Sequence, residues 1–218
     1  MMCKKLMTTS KEVTVARYTA EHKNETRKRI LETAGRRFKR DGIDSSGIAA
    51  IMSDAQLTNG AFYAHFTSKD DLVANVVADQ MLRWQANLRS TPDGAELEAF
   101  VREYLSPQHR DHPDTGCPNA ALLDEIVRCN KATRRSYTQA MQDIVGEVAK
   151  RLSPDDPTSA RSDAIGLITI LVATMQLARA VTDRAFSNEI LESGISNAQT
   201  ILGRTQRPSS TQSRKRSR

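Results

Sequence analysis

The apolar residues of this chain recur mainly at intervals of three and four residues, the period of an amphipathic α-helix. No convincing alternation of apolar and polar residues predicts a strand. Capping residues, glycines and prolines divide the pattern into segments. The predicted helices cover about residues 24–40, 46–54, 58–65, 68–90, 93–105, 117–130, 131–152, 158–183 and 187–202. We therefore expect an all-α fold.

The segments predict four parts along the chain. Residues 1–21 are polar and have no clear period, so we expect a flexible arm. Residues 22–68 predict a small three-helix head, and residues 69–203 predict a larger helical bundle. Residues 204–218 are rich in Ser and Arg and contain no apolar residue, so we expect a disordered basic tail.

Charge is distributed unevenly along the chain, whose net charge is +6. Residues 1–69 hold 13 Lys and Arg against 7 Asp and Glu, whereas residues 70–203 hold 13 against 19. Residues 204–218 hold 6 basic residues and no acidic one. A basic head on an acidic body fits a protein that presents one end to a polyanion. Solvated ends around an ordinary domain would give the same distribution.

Composition argues against several protein classes. Three cysteines, Cys3, Cys117 and Cys129, are too few for a disulfide framework, and none forms a zinc-type pair. The longest apolar stretch, residues 165–173, is much shorter than a membrane span of about 20 residues. No apolar signal-peptide core follows Met1. We expect a cytoplasmic protein that uses no membrane, metal or cofactor.

Residues 43–66 carry the main functional signal, because they predict two short helices joined tightly at residues 55–57. Their apolar residues can pack on the first helix, against Ile30, Ala34 and Phe38. The second short helix then exposes a smooth face of small or uncharged residues, namely Thr58, Asn59, Gly60, Ala61 and Ala64. Such a face suits the DNA major groove, about 12 Å wide, where base edges must be approached closely. A helical hairpin within a larger bundle is the alternative.

Each polar residue of this segment can be given a role on DNA. Asn59 could read adenine, the Ala61 methyl could meet a thymine methyl, and Gly60 would permit close approach. Thr58 could cap its helix and reach a base or phosphate. The residues that we expect at phosphates are Tyr63 and His65 as donors, Ser46 and Gly47 through backbone N–H groups, and Lys69 as a charge at a helix N-terminus.

Residues 24–72 resemble the DNA-binding head of the tetracycline-repressor (TetR) family. The most specific part is the run Gly-x-Phe-Tyr-x-His-Phe-x-Ser-Lys from Gly60 to Lys69. The resemblance implies a homodimer of all-helical subunits, usually a repressor that a ligand releases from DNA. It also implies operator contacts at the matching positions, Thr58, Asn59, Ala61, Tyr63, His65 and Lys69.

Three residues depart from the pattern of that family. Gln56 stands where the family usually has Gly in the turn, and a non-Gly residue with positive φ there costs about 1 kcal/mol. Asn59 stands where Lys is common, and Gly47 stands where Ser is common. These departures weaken any transfer of a particular operator sequence.

The body predicts a dimer interface. Residues 116–128 resemble the sensor half of one branch of the same family. The segment 158–183 is apolar around most of its circumference, so we expect it to be buried on nearly all sides by a two-fold helix pair with 187–202. A central core helix in a monomer is the alternative. Two-fold symmetry would match a palindromic operator.

A ligand pocket is expected among the body helices, with the long helix from Ser68 as the lever toward the head. The candidate lining residues are Trp84, Phe100, Tyr104, Leu122, Ile126, Tyr137, Met141 and Met175. This apolar set with a few hydroxyls suggests a hydrophobic or aromatic effector. All eight residues would serve equally as plain core.

Two other functions remain open. Cys117 and Cys129 could make a redox sensor, with Arg128 lowering the pKa of Cys129, although one helix spanning both would hold them about 18 Å apart. Inert buried thiols are the alternative. The other function is an all-helical enzyme, but the sequence contains no HExxH, GxSxG or phosphate-loop motif. The loop residues His109, Asp111, His112 and Asp114 form a weak metal candidate or a solvated loop.

Overall fold

The computed structural model describes the backbone of residues 8–90 and 95–205 and the side chains of residues 21–88 and 97–203. Within these ranges the chain forms ten α-helices and no strand, which confirms the all-α prediction. The helices are α1 (Thr8–Asp41), α2 (Ile48–Asp54), α3 (Asn59–Tyr63), α4 (Lys69–Ser90), α5 (Ala95–Tyr104), α6 (Pro107–Asp111), α7 (Pro118–Ile126), α8 (Lys131–Leu152), α9 (Arg161–Ala180) and α10 (Arg184–Thr205).

The first helix is much longer than expected. It begins at Thr8, so the predicted start near Asn24 is wrong and residues 8–21 of the expected arm are helical. No Gly or Pro lies between Thr8 and Gly35, so the helix propagates through this polar segment although the segment has no apolar stripe. Residues 1–7 of the predicted arm and residues 206–218 of the predicted tail lie outside the described residues.

The connection between α5 and α7 contains the short helix α6, which the sequence reading missed. Pro107 occupies the first turn of this helix, where a missing N–H costs nothing. The Ser106 side chain caps the helix by accepting from the His109 N–H at 3.2 Å. Helix α7 then ends at Ile126, and the Asn130 side chain caps α8 by accepting from the Thr133 N–H at 3.0 Å.

The head has the packing that the sequence predicts. Its core consists of apolar side chains from α1, α2 and α3 that are wholly buried, together with Phe66, which is 2% exposed. The wholly buried residues are Ile30, Ala34, Phe38, Ile51, Met52 and Phe62. Ile48 and Leu57 pack partly buried against that core. Three aromatic rings anchored in so small a core fix the short helix α3 far more firmly than its five residues could alone.

Helix α1 ends at a glycine that the fold requires. Gly42 has φ 88°, and its N–H donates to the Phe38 carbonyl at 2.9 Å. A Cβ at this position would lie 2.7 Å from Glu125 Oε1. The other carboxylate oxygen of Glu125 accepts from the Ile43 N–H at 2.7 Å, so a residue of α7 is bonded directly to the turn that ends α1.

Helix α4 joins the head to the body. Ser68 Oγ accepts from the Asp71 N–H at 3.1 Å, and the Asp71 carboxylate accepts from the Thr67 N–H at 2.9 Å. This confirms the predicted capping at Ser68. The helix packs on α1 at its head end and on α7 and α8 in the body.

Helices α9 and α10 pack closely on each other, and α8 covers α9 from the other side. They approach closely at Gly194, where an added Cβ would lie 2.4 Å from Thr174 Cγ2 and would clash with it. The outer side of α9 is an uncovered stripe of Ile165, Thr169, Ala173 and Leu177. Ile165 is 47% and Leu177 54% exposed, so a single subunit does not bury α9 on all sides.

Helix α9 is also the one helix of the described residues that is long and apolar enough to cross a membrane by length and composition. Core helices of soluble proteins meet the same criterion, and α9 packs on α6, α7, α8 and α10 of its own chain. Packing on four helices of its own chain is typical of a core helix.

The Gly42→Ala substitution should lower the free energy of unfolding by about 2 kcal/mol, because it adds left-handed strain and displaces the Glu125 carboxylate. Gly146→Ala is the matched control, since an added Cβ there meets nothing within 4 Å on α8. The control should gain up to about 1 kcal/mol. Urea unfolding at one protein concentration measures both, and equal stabilities for the two variants would contradict the assigned role of Gly42.

Candidate nucleic-acid interface

The turn between α2 and α3 is a Schellman motif. The Gln56 N–H donates to the Ser53 carbonyl at 2.9 Å, and the Leu57 N–H donates to the Met52 carbonyl at 2.9 Å. Gln56 has φ 56°, the left-handed conformation that such turns require. This turn fixes the angle at which α3 leaves α2.

Helix α3 turns the predicted face outward. Thr58, Asn59, Gly60 and Ala64 are exposed, and Ala61 is half-buried. Phe62 lies wholly buried on the opposite side and holds the helix in place. The exposed face carries no charge, so a DNA base could approach it without desolvating a Lys or Glu.

The polar groups of this face are free for a ligand. Thr58 takes the N-cap position, and its carbonyl accepts from the Ala61 N–H at 3.0 Å, but its side chain makes no cap bond, so that part of the expectation is wrong. Within the described part of the chain, the Asn59 amide and the Tyr63 hydroxyl also have no hydrogen-bond partner. Tyr63 is 70% exposed, and its ring packs edge-on against Phe62 with centroids 5.1 Å apart.

His65 lies at the end of α3 beside two basic residues of α1. Burial and then the charges of Lys23 and Arg27 lower its pKa, so the imidazole is neutral at pH 7. Its buried Nδ1 has no partner in the described structure. Arg27 lies over the Phe66 ring at 5.2 Å and donates to Asn75 Oδ1 at 2.6 Å.

Lys23 and Arg27 are functional candidates that the sequence reading missed. They stand four residues apart and therefore share one face of α1. That spacing was the available signal, but placing the start of α1 near Asn24 hid it.

The start of α2 contributes a second polar region. Gly47 is the exposed N-cap, and its backbone is extended at φ −74°. Lys69 Nζ donates to the Asp44 carbonyl at 3.2 Å, which holds the ammonium at the turn that precedes α2. The Ser46 prediction is wrong, because Ser46 is fully buried. Its N–H donates to the Ile43 carbonyl at 3.2 Å and its Oγ to the Gly42 carbonyl at 2.6 Å.

Comparison with known proteins relates this head to bacterial transcriptional regulators. Residues 30–76 match the model of "Bacterial regulatory proteins, tetR family". The HTH-type transcriptional regulator AcrR of Shigella flexneri is 33% identical over 94 residues, which are 40% of this chain and 44% of AcrR. The uncharacterised HTH-type transcriptional regulator YerO of Bacillus subtilis is 40% identical over 169 residues, which are 71% of this chain and 58% of YerO. The chain thus spans about half the length of these curated relatives.

A solved structure extends the likeness to the whole fold. The crystal structure of reduced NemR from E. coli superposes with a TM-score of 0.68 at 16% identity, covering 81% of this chain and 96% of NemR. The chain is therefore similar to the TetR family in its head and to NemR in its fold. The chain has a helix-turn-helix head and a helical body, with Gln56 in the left-handed turn between α2 and α3.

The body contains an open cleft of about 1010 Å³ between α1, α4 and the segment from α5 to α7. Three of the predicted pocket residues, Trp84, Phe100 and Tyr104, line it. The other five, Leu122, Ile126, Tyr137, Met141 and Met175, do not line it. They belong to the apolar core of the body or pack on it, so this cleft does not include them and their role as ligand contacts stays a prediction.

Histidine side chains near the cleft are committed to structural bonds. His109 Nε2 accepts from the Cys117 N–H at 2.9 Å, so Nδ1 carries the proton and donates to the Tyr104 carbonyl at 2.6 Å. Burial is the main cause that lowers the pKa of His109. His112 Nδ1 contacts the Gln108 carbonyl at 2.9 Å. Among the described residues no group of three His, Cys, Asp or Glu side chains could hold a metal ion.

The thiols do not have the setting that the redox alternative assumed. Cys117 is buried and Cys129 is half-buried, and both are free. Burial, followed by the charges of Asp70 and Glu125, raises the pKa of Cys129. The expected lowering by Arg128 is outweighed, so the idea of an activated Cys129 thiolate loses its physical basis.

The Gln56→Gly substitution should raise the free energy of unfolding by about 0.5–1 kcal/mol, because relief of left-handed strain exceeds the added entropy of the unfolded chain. Ser53→Gly, three residues earlier in α2 and also exposed, is the control and should destabilise by about 0.5 kcal/mol. Thermal and urea unfolding would measure the two changes. Destabilisation by both would show that Gln56 is not strained.

Proposed function

We propose that this chain is a DNA-binding transcriptional regulator, and specifically a homodimeric repressor that a small-molecule effector releases from a palindromic operator. The observation that carries the proposal is the uncharged, exposed face of α3, which is held outward by the buried Phe62. A surface helix without charge is poorly suited to bulk solvent and well suited to the major groove.

The polar groups around α3 divide into two kinds of contact. Asn59 is the amide that can read a base edge in bidentate fashion, with Thr58, Gly60, Ala61 and Ala64 beside it. The remaining candidates surround the face and would hold the DNA backbone: Gly47 N–H, the Tyr63 hydroxyl, the His65 imidazole, the Lys69 ammonium, and Lys23 and Arg27 of α1. Such phosphate contacts set the docking register and make binding salt-dependent.

The uncovered stripe on α9 supports a homodimer. Apolar side chains at Ile165 and Leu177 flank the small residues Thr169 and Ala173, so a second α9 can approach closely. The exposed side of α10 adds Phe186, which is 50% exposed. A two-fold axis through these helices would present two heads to half-sites one helical turn, about 34 Å, apart.

The cleft lies where an effector can influence the head. Lys39 Nζ of α1 donates to the Gly116 carbonyl at 3.0 Å, and the Glu125 carboxylate accepts from the Ile43 N–H. Helix α4 runs from Trp84 at the cleft to Lys69 at the DNA face. An effector that favours a splayed arrangement of the two heads would therefore shift the population away from the DNA-bound state.

The relatives also bear on the class of function. AcrR and YerO are named transcriptional regulators, which favours a regulator over an enzyme. A DNA partner further implies a cytoplasmic location, with α9 in a subunit interface and not in a membrane.

Selection of genomic DNA fragments with the purified full-length chain tests the proposal directly. Enriched fragments should share a palindrome with half-sites one helical turn apart. Absence of any enriched sequence over a fragment library without protein would overturn the regulatory function.

The first prediction for the selected operator concerns phosphate contacts. Tyr63→Phe should weaken binding about fivefold, since it removes one hydroxyl donor while keeping the ring on Phe62. Lys69→Ala should weaken binding to all DNA alike and reduce the salt slope by about one. Gel-shift titrations over a salt series measure both effects.

The control for these variants is Lys131→Ala, because Lys131 is exposed at the start of α8, far from α3 along the chain. All three variants should unfold within a few degrees of the parent protein. Parent-like affinity and salt slope in Tyr63→Phe and Lys69→Ala would remove both residues from the interface.

The second prediction concerns the dimer. Leu177→Glu and Ile165→Glu should each weaken self-association, because a carboxylate would have to be buried without a partner in the interface. Leu82→Glu is the matched control, since Leu82 is 63% exposed on α4. Sedimentation velocity over a concentration series should give monomers for the α9 variants and dimers for the control. Dimers in all three would move the interface away from α9.

A further inference from the structure

Lys39 is a buried cation without a carboxylate partner. It and Arg110 are the two charged residues that are buried in the described part of the chain. Arg110 is neutralised by Asp111, with Nε 2.9 Å from Oδ1. Lys39 Nζ, by contrast, donates to the Gly116 carbonyl, and no carboxylate among the described residues lies within 4.0 Å of it. A buried ammonium in this state is costly, so its setting suggests that a ligand supplies the missing charge.

The surroundings of Lys39 also lack the negative charge that a buried ammonium needs. Burial lowers the pKa of Lys39 to about 8, against opposing contributions from Cys117 and Asp114. The charges of Arg36 and Arg179 lower it further. An anion beside the ammonium would restore its usual pKa, so binding of an anion and protonation of Lys39 favour each other.

Tyr104 provides a second unsatisfied group in the same cleft. It is 5% exposed, and its buried hydroxyl has no oxygen or nitrogen partner in the described structure, with only the weakly accepting Cys117 thiol beside it. Burial raises the pKa of Tyr104 well above its usual value, so the hydroxyl keeps its proton and can donate. Its ring is fixed edge-on against His109 at a centroid distance of 4.6 Å. A buried donor of this kind is expected to find an acceptor.

The remaining walls of the cleft are partly aromatic. Trp84 and Phe100 line it, and Phe100 packs on the Tyr104 ring with centroids 6.0 Å apart. The acidic residues of the lining stay partly exposed. Glu32 is paired with Arg83 at 3.1 Å, while Glu103 and Asp114 make no ion pair in the described structure. The buried floor therefore attracts an anion, while the aromatic walls can cover an apolar body.

We propose that this cleft binds a small aromatic organic acid, whose anionic group is held by the Lys39 ammonium and the Tyr104 hydroxyl while its ring packs on Trp84 and Phe100. This proposal rests on the effector site of the proposed function and names the chemical class of the effector. Carboxylates, sulfonates and phosphate monoesters share the required chemistry. The acid competes with the Gly116 carbonyl for Lys39 and so acts directly on a contact between α1 and the body.

The binding test needs no DNA and uses the full-length chain. Trp84 is the single Trp of the sequence, so quenching of its fluorescence reports occupation of this cleft. The probes are benzoate, benzenesulfonate and phenyl phosphate, with benzamide as the neutral isostere and inorganic phosphate as the anion without a ring. At least one aromatic anion should bind about 10- to 100-fold more tightly than benzamide, the effect of one charge-assisted hydrogen bond.

Three variants locate the anion. Lys39→Met should abolish the preference for the acid over benzamide, and Tyr104→Phe, which keeps the ring, should reduce acid affinity about fivefold. Lys131→Met, an exposed change on α8, should keep parent values. Circular dichroism confirms folding, and Tyr104→Phe tests the site even where Lys39→Met fails to fold.

Equal affinities for acid and amide in the parent chain, or an unchanged preference in folded Lys39→Met, would overturn this assignment. Inorganic phosphate quenching as strongly as the aromatic anions would also overturn it, because the ring would then contribute nothing. A chain that prefers aromatic acids but enriches no DNA would refute the regulatory function alone. A chain that binds an operator but shows no acid preference would refute the cleft assignment alone.

Discussion

One carboxylate of the body is bonded directly to the turn that ends the first helix of the head. Glu125 of α7 accepts from the Ile43 N–H in the turn that ends α1, and only the missing side chain of Gly42 lets it approach. The left-handed φ of 88° at Gly42 both closes α1 and clears the space for Glu125. A single turn therefore ends the first helix, starts the path to α2 and bonds the body to the helix-turn-helix head.

Much of this architecture could be predicted from particular residues. The apolar spacing of Ile30, Ala34 and Phe38 gave the correct inner face of α1, and Ser68 with Asp71 gave the correct start of α4. These signals are local, because capping and helical periodicity act within about one turn. The face of α3 was predictable for the same reason, since burying Phe62 leaves Thr58, Asn59 and Gly60 outside.

The errors concern features that depend on distant parts of the chain. Ser46 was expected at DNA, but its burial depends on the path from Gly42 to α2. The pocket residues of α7, α8 and α9 were chosen for their apolar character, and apolar character does not distinguish a core from a cleft. Lys39, the charged residue that most distinguishes this cleft, comes from the head, where the sequence indicates only DNA contacts.

The position of Lys39 on α1 connects the cleft directly to the head. An effector in this cleft does not need to act through a long lever alone, because Lys39 belongs to α1 and already touches the body at Gly116. One hydrogen bond of this kind contributes about 1 kcal/mol, and coupling energies of 1–3 kcal/mol correspond to affinity changes of about 5- to 150-fold. Under the proposed function, exchange of the Gly116 carbonyl for an anion in each of two subunits would change the affinity for DNA by an amount of this order. Helix α4 would then carry a displacement from the cleft to the head, while the loss of the Lys39–Gly116 hydrogen bond would release α1 from the body.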